Sequence, residues 1–100
     1  MKSLPYVISK KAVFDLQDIW LYTVEKWSVE QADRYYDLIF DEINYICQNA
    51  KSGKSMEHVR KGYRGSKVKS HLIFYRVVNG TIEIIRILHE RMDIENRLKD

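Results

Sequence analysis

Two runs of β-prone residues meet at Asn79-Gly80, and no other feature constrains the fold of this chain as tightly. A two-residue Asn-Gly loop tolerates positive φ at both positions, as a twisted type I′ hairpin requires. The surrounding residues 70–93 read S-H-L-I-F-Y-R-V-V-N-G-T-I-E-I-I-R-I-L-H-E-R-M-D. Setting Val78 opposite Thr81 fixes the expected register. Arg76 then faces Glu83, Phe74 faces Ile85 and Leu72 faces Ile87 on one side of the ribbon, while Tyr75 faces Ile84 and Ile73 faces Arg86 on the other. Both sides are mostly apolar. A ribbon wetted on one side alternates apolar and polar, so this one is expected to be covered twice, once by its own chain and once by a partner.

The preceding chain supplies one cover. Pro5 suits a strand start and Tyr6-Val7-Ile8 is a short β-prone run, after which Ser9 reads as a helix N-cap. Over residues 10–27 Val13, Leu16, Trp20, Thr23 or Val24, and Trp27 recur at helical spacing, which predicts a buried stripe. Ser28-Val29-Glu30-Gln31 fits a capping box and opens a second helix with the stripe Ala32, Tyr35 or Tyr36, Ile39, Ile43, Ile46 and Ala50. So short a junction forces an antiparallel αα-hairpin, expected on one face of the sheet. Trp20, Trp27 and the tyrosines read as packing residues and Cys47 as a buried, inert thiol. Residues 51–62 are expected to be irregular. Their G-K-S lacks the preceding glycine and the following helix of a phosphate loop. Residues 63–70 should form the next strand, turning at Lys69-Ser70. If Val68 faces His71, Arg64 comes beside Tyr75, and one face collects Arg64, Tyr75, Arg86 and His71. Asp93 can cap a last helical turn through Ile94, Asn96, Arg97 and Leu98, whose apolar residues can cover part of the open face.

With a single proline and four glycines in 100 residues, the chain suits one domain without a linker. The lone Cys47 excludes an internal disulfide, and residues 1–9 have too little apolar length for a signal peptide or membrane span, which predicts a cytoplasmic protein. The net charge of +3 conceals a division. Residues 1–50 hold five Lys/Arg against eight Asp/Glu, residues 51–76 hold eight against Glu57 alone, and residues 77–100 hold four against five. The basic block predicts attraction to an acidic protein segment, DNA or RNA; a solvated basic loop and edge strand is the alternative reading.

I-L-H-E-R-M-D at residues 87–93, with S-H-L-I-F-Y-R-V at 70–77 and G-Y-R at 62–64, resembles the ParE branch of the RelE/ParE toxin family. A-x-x-D-L-x-x-I at 12–19, Y-T at 22–23 and W-S-x-x-Q-A at 27–32 carry the likeness through the N-terminal half. The resemblance implies an α+β fold: an N-terminal strand, then an antiparallel two-helix hairpin packed on one face of a mainly antiparallel sheet that ends in the Asn-Gly β-hairpin. It also implies a type II toxin neutralised by a ParD-like antitoxin. Operator DNA would be bound only through that antitoxin, and DNA gyrase would be the target of the free toxin. Antitoxin contacts are expected on the open sheet face and basic edge, at Arg64, Lys67, Lys69, His71, Ile73, Tyr75, Ile84 and Arg86. Target contacts are expected at His89, Glu90, Arg91, Met92, Arg97 and Leu98. No cofactor and no membrane are implied.

Two further functions remain open. RNA cleavage needs a base, an acid and cations beside the phosphate, and His71, His89, Tyr75, Arg64, Arg86 and Arg91 are of the right types. In the ribosome-dependent endonuclease branch an arginine stands where this chain has Leu72, which argues against that activity and for no catalytic residue. Arg86, in an apolar strand, is better read as an inward guanidinium paired with a carboxylate or with carbonyls. Glu90-Arg91 reads as a solvated ion pair. His58, His71 and His89 show no metal-ligand spacing. A nucleic-acid-binding domain without toxicity is the third reading, resting on the basic block alone.

Overall fold

A computed structural model describes residues 3–99, with the side chain of residue 99 excluded; the start of the N-terminal segment read above as too short for a leader lies outside them. The elements are β1 (Tyr6–Ile8), α1 (Lys10–Lys26), α2 (Val29–Gln48), β2 (Lys54–Ser55), β3 (Arg64–Val68), β4 (His71–Val78), β5 (Thr81–His89) and α3 (Ile94–Lys99). The sheet order is β1-β5-β4-β3-β2. β1 lies parallel to β5 and the other pairs are antiparallel. The α+β architecture read from the sequence is the one observed. β2 falls inside the stretch expected to be irregular, because two residues give no periodicity; it exists by pairing Lys54 with Gly65 and Ser55 with Arg64.

Helix starts follow local chemistry. The Ser9 hydroxyl accepts the Ala12 amide at 3.0 Å, and Ser28 accepts the Gln31 amide at 3.1 Å. The second half of the capping box differs from expectation, since the Gln31 side chain takes the Arg34 guanidinium at 3.4 Å. In α2 the buried residues Ala32, Ile39, Ile43 and Ile46 are those of the expected stripe, joined by Cys47, whose thiol burial pushes up. In α1 the buried set is Ala12, Leu16 and Ile19, so Val13 and Trp27 face water and Trp20 instead ties the helices together by donating from Nε1 to Asp33 at 3.1 Å. The buried stripe of α1 lies about one position from the expected one, because the small Ala12 lets the helix approach the sheet where the bulkier Val13 does not.

The hairpin register is the expected one from Val78–Thr81 through Arg76–Glu83 to Tyr75–Ile84. Asn79 and Gly80 take φ of 51° and 73°. Beyond Tyr75 a β-bulge shifts the pairing. Phe74 lies opposite Arg86, Ile73 opposite Ile87 and Leu72 opposite Leu88, in place of Ile85, Arg86 and Ile87. Its cause lies outside the hairpin: the Ser9 hydroxyl donates to the Ile85 carbonyl at 2.7 Å, and Asp15 accepts the Ile87 amide at 3.0 Å. β3 meets β4 as expected, with Arg64 beside Tyr75 and Val68 beside His71, and Lys69 turns at φ 53°.

The sheet divides two apolar layers. Under the helix pair lie Val68, Ile73, Tyr75, Ile82, Ile84 and Ile87 with Leu16, Ile39, Ile43 and Ile46. On the opposite side Tyr63, Phe74, Leu88 and Leu98 form a second cluster, packed by Met56, Val59, Leu72, Ile85 and Ile94. The face expected to await a partner is therefore closed. Ile73, Tyr75 and Ile84 are fully buried beneath the chain's own helices, and the opposite face is covered by α3 and residues 56–63. The short α3 persists because Leu98 inserts into that layer while Arg60 and Arg86 donate to the carbonyls of Leu98 and Arg97, both at 3.4 Å.

Candidate functional site

With the central part of both sheet faces enclosed, most of the large apolar side chains left to solvent lie on the helix pair, with Tyr6, Val7, Val77 and Met92 outside it. Tyr22 and Trp27 are 60% and 72% exposed, and Leu38 projects beside them. These three, with Ile19, Thr23 and Tyr35, floor a groove of about 1010 Å³ between the helix pair and the end of the sheet. Its rim is cationic: Arg34 comes from α2, Lys69 from the β3–β4 turn and Arg91 from the segment after β5, against Asp18 alone among the carboxylates of the described residues. Apolar floor and charged rim suit a helical or extended protein segment with apolar anchors and acidic flanks.

His71 and His89 stand in the wall of this groove and of a smaller recess of about 320 Å³ that adds Lys11, Phe14 and Arg97. They face each other across β4 and β5, their rings edge to face at 5.1 Å. The Tyr35 hydroxyl lies 2.6 Å from His71 Nδ1 and 3.1 Å from the Val68 carbonyl. A phenol has one proton, so both contacts are made together only when Tyr35 donates to Val68 and accepts Nδ1–H from His71, leaving His71 Nε2 bare. His89 takes the other tautomer, because its Nδ1 accepts the Arg91 amide at 3.1 Å and its proton must sit on Nε2. Burial, and secondly the neighbouring His89, lower the His71 pKa to about 4, and burial pushes the Tyr35 phenol up.

The groove brings together Lys69 and His71, expected as antitoxin contacts, with His89, Arg91 and Met92, expected as target contacts. Arg64 sits elsewhere, its guanidinium donating to the carbonyls of Gly53 at 2.8 Å and Lys51 at 3.3 Å. Lys67 pairs with Glu90 at 3.0 Å and holds that carboxyl below its usual range, so Glu90 is partnered by Lys67 across the sheet edge and not by Arg91. Arg86 is the inward guanidinium expected, bound to Asp15 at 2.8 Å. Leu98 is buried in the second layer, unavailable as a surface contact. His58 is exposed, and among the described residues no three His, Cys, Asp or Glu are grouped to hold a metal ion. Sequence reasoning missed Tyr22, Arg34 and Leu38, and took Trp27 as core. Their signal was an apolar surface on the helix pair wider than the buried stripe needs.

Set beside known proteins, the chain has a clear place. The family model described as the ParE toxin of type II toxin-antitoxin system, parDE, matches residues 6–94. Toxin ParE1 of Mycobacterium tuberculosis is 37% identical over 94 residues, spanning 93% of this chain and 96% of the relative. Toxin ParE1 of Caulobacter vibrioides is 40% identical over 94 residues, spanning 94% and 97%. A solved structure titled as the chromosomal ParDE TA system from P. aeruginosa shares the fold, with a TM-score of 0.75 at 23% identity over 87% of this chain and 96% of that one. Fold and sequence together define a small toxin of a type II toxin-antitoxin system. This chain belongs to the ParE toxin family.

Proposed function

We propose that this toxin is neutralised by a ParD-like antitoxin seated in the groove between the helix pair and the sheet end, and that the free toxin inhibits DNA gyrase by binding, not by catalysis. The observation that carries the first part is the exposed Tyr22, Trp27 and Leu38 floor ringed by Arg34, Lys69 and Arg91. Such a surface is complementary to an acidic segment with apolar anchors, where burial supplies affinity and charge supplies steering. The structural relative titled as a ParDE system is consistent with a partner of that kind. Operator DNA is reached only through the antitoxin, and the proposed partner and target put the site of action in the cytoplasm. The gyrase reading rests on family membership. Co-expression with a ParD-like antitoxin should yield a stable complex and restore growth that the toxin alone arrests. Purified toxin should inhibit supercoiling by gyrase, and intact supercoiling at excess toxin removes the target from the proposal.

The histidine pair favours a second reading. A bare Nε2 on His71 beside a protonated Nε2 on His89, with Arg34, Lys69 and Arg91 nearby, has the elements of acid-base cleavage of RNA. Two facts weigh against it. A base with a pKa near 4 removes protons poorly at neutral pH, and Leu72, where the endonuclease branch carries an arginine, packs into the second apolar layer. Codon-positioned cuts in translated messages, read by primer extension, would restore it.

A further inference from the structure

The imidazole pair does more in this groove than fill a wall. We infer that the antitoxin segment places a carboxylate against His71 and His89, and that His71 takes up a proton from solvent at Nε2 as the groove is filled. The inference rests on the proposed docking of an antitoxin in this groove and assigns that docking a proton linkage. The hydrogen-bond pattern decides which ring responds. His89 can gain a proton only at Nδ1, and that atom already accepts the Arg91 amide at 3.1 Å, so charging His89 breaks a contact. His71 has its Nδ1 committed to Tyr35 and its Nε2 bare, so it can be charged without losing a partner.

In the free protein little around His71 repays that charge. From α1, Asp15 is neutralised by Arg86 at 2.8 Å while Asp18 and Lys11 face the same wall, and Arg97 comes to it from α3. From α2 come Tyr35 and Arg34; from the turn, Lys69. From β5 and the segment after it come His89, Arg91 and Glu90, the last held by Lys67 at 3.0 Å. Burial disfavours a positive charge on the ring and the neighbouring His89 adds to that, while Asp15 and Glu90 offset only part of it, so the free ring stays neutral well below its ordinary range. A carboxylate entering the groove would accept from His89 Nε2–H at once and from His71 Nε2–H after protonation. Two charge-assisted bonds to the carboxylate are then made where the free groove offers none. The sign follows from linkage: filling raises the His71 pKa, so affinity grows as pH falls from the value in the complex toward the value in the free toxin.

The test is calorimetric titration of the toxin with a ParD-like antitoxin that neutralises it, from about pH 8 to about pH 5.5, in two buffers of different ionisation enthalpy. Ring-proton NMR follows both histidines in the free and bound states. Uptake of about half a proton or more at the acid end of the range, an affinity rising about threefold or more per pH unit there, and a His71 midpoint moved up by about two units on binding are expected. His71→Asn, which keeps a donor toward Tyr35 but loses the bond to the carboxylate, should bind more weakly and show no proton uptake. Tight binding with no uptake in either buffer overturns the linkage and leaves the antitoxin reading intact. Absence of binding at every pH overturns the antitoxin reading, and the linkage with it.

Discussion

The Arg86 guanidinium meets the Asp15 carboxylate through two hydrogen bonds, Nε to Oδ2 at 2.8 Å and Nη2 to Oδ1 at 2.9 Å, and the same Oδ2 accepts the Ile87 amide at 3.0 Å. Both side chains are little exposed, at 13% and 12%. One carboxylate thus pins an arginine and a bulged strand to α1. Asp15→Ala takes the counter-charge from a shielded guanidinium and leaves the Ile87 amide without its carboxylate, and should destabilise the protein by about 3–5 kcal/mol. Arg86→Met keeps the volume and leaves Asp15 its amide, so a smaller loss is expected. Thermal melts of the two variants decide it; equal losses would mean that the amide contact carries no weight.

Gly53 is held by contact. A Cβ there would lie 2.5 Å from the Tyr75 hydroxyl, which itself donates to the Ala50 carbonyl at 2.8 Å and accepts the Gly53 amide at 2.9 Å. Gly53→Ala should cost about 1–3 kcal/mol through overpacking. Tyr75→Phe should cost about 1–3 kcal/mol by orphaning both backbone groups. Because the side chains share one space, the double variant should lose less than the sum, as measured by urea unfolding.

Leu98 closes the second apolar layer over Phe74, Leu88 and Tyr63. Leu98→Ala should cost about 2–5 kcal/mol. α3 has only the residues Ile94–Lys99 and cannot stand alone, so its amides should exchange at the rate of free chain in the variant while those of β4 stay protected. Protected α3 amides in Leu98→Ala would show that Ile94 and the Arg60 and Arg86 contacts suffice.

His71 ties stability to pH. Its folded pKa, lowered to about 4 from 6.5, means that the unfolded chain binds a proton below about pH 6.5 which the folded chain refuses until about pH 4. Stability should therefore fall as pH drops through that window. A full shift is worth about 1.4 kcal/mol per unit, and discounting for solvent at the groove leaves roughly 2 kcal/mol in all. His71→Asn should flatten this part of the profile in denaturant titrations at several pH values.

Trp27 separates binding from folding. It is 72% exposed at the helix junction, so Trp27→Ala should change stability by under about 0.5 kcal/mol. As a groove anchor it should weaken antitoxin binding by about tenfold or more. An unchanged dissociation constant would move the docking surface off this groove.

What the amino-acid order determined by itself was local. Asn79-Gly80 dictates the tight turn and the register as far as Tyr75–Ile84, Ser9 and Ser28 dictate where the helices begin, and Ile39, Ile43 and Ile46 dictate which face of α2 is buried. Each is an interaction among residues a few positions apart, so spacing carries it. Tertiary structure decided the rest. The bulge opposite Phe74 and Tyr75 is stabilised by Ser9 and Asp15, more than 70 positions away, and it moves Arg86 and Ile87 relative to an unbroken alternation. Which sheet face closes depends on where α3 and residues 56–63 come to rest, and the groove exists only because the helix tip, the β3–β4 turn and the end of β5 converge. No periodicity along the chain encodes a meeting of His71 with His89 or the placing of Trp27 and Arg91 on one groove. Such encounters follow from the sheet's register and from the angle at which the helices lie on it, quantities that packing of the whole molecule sets.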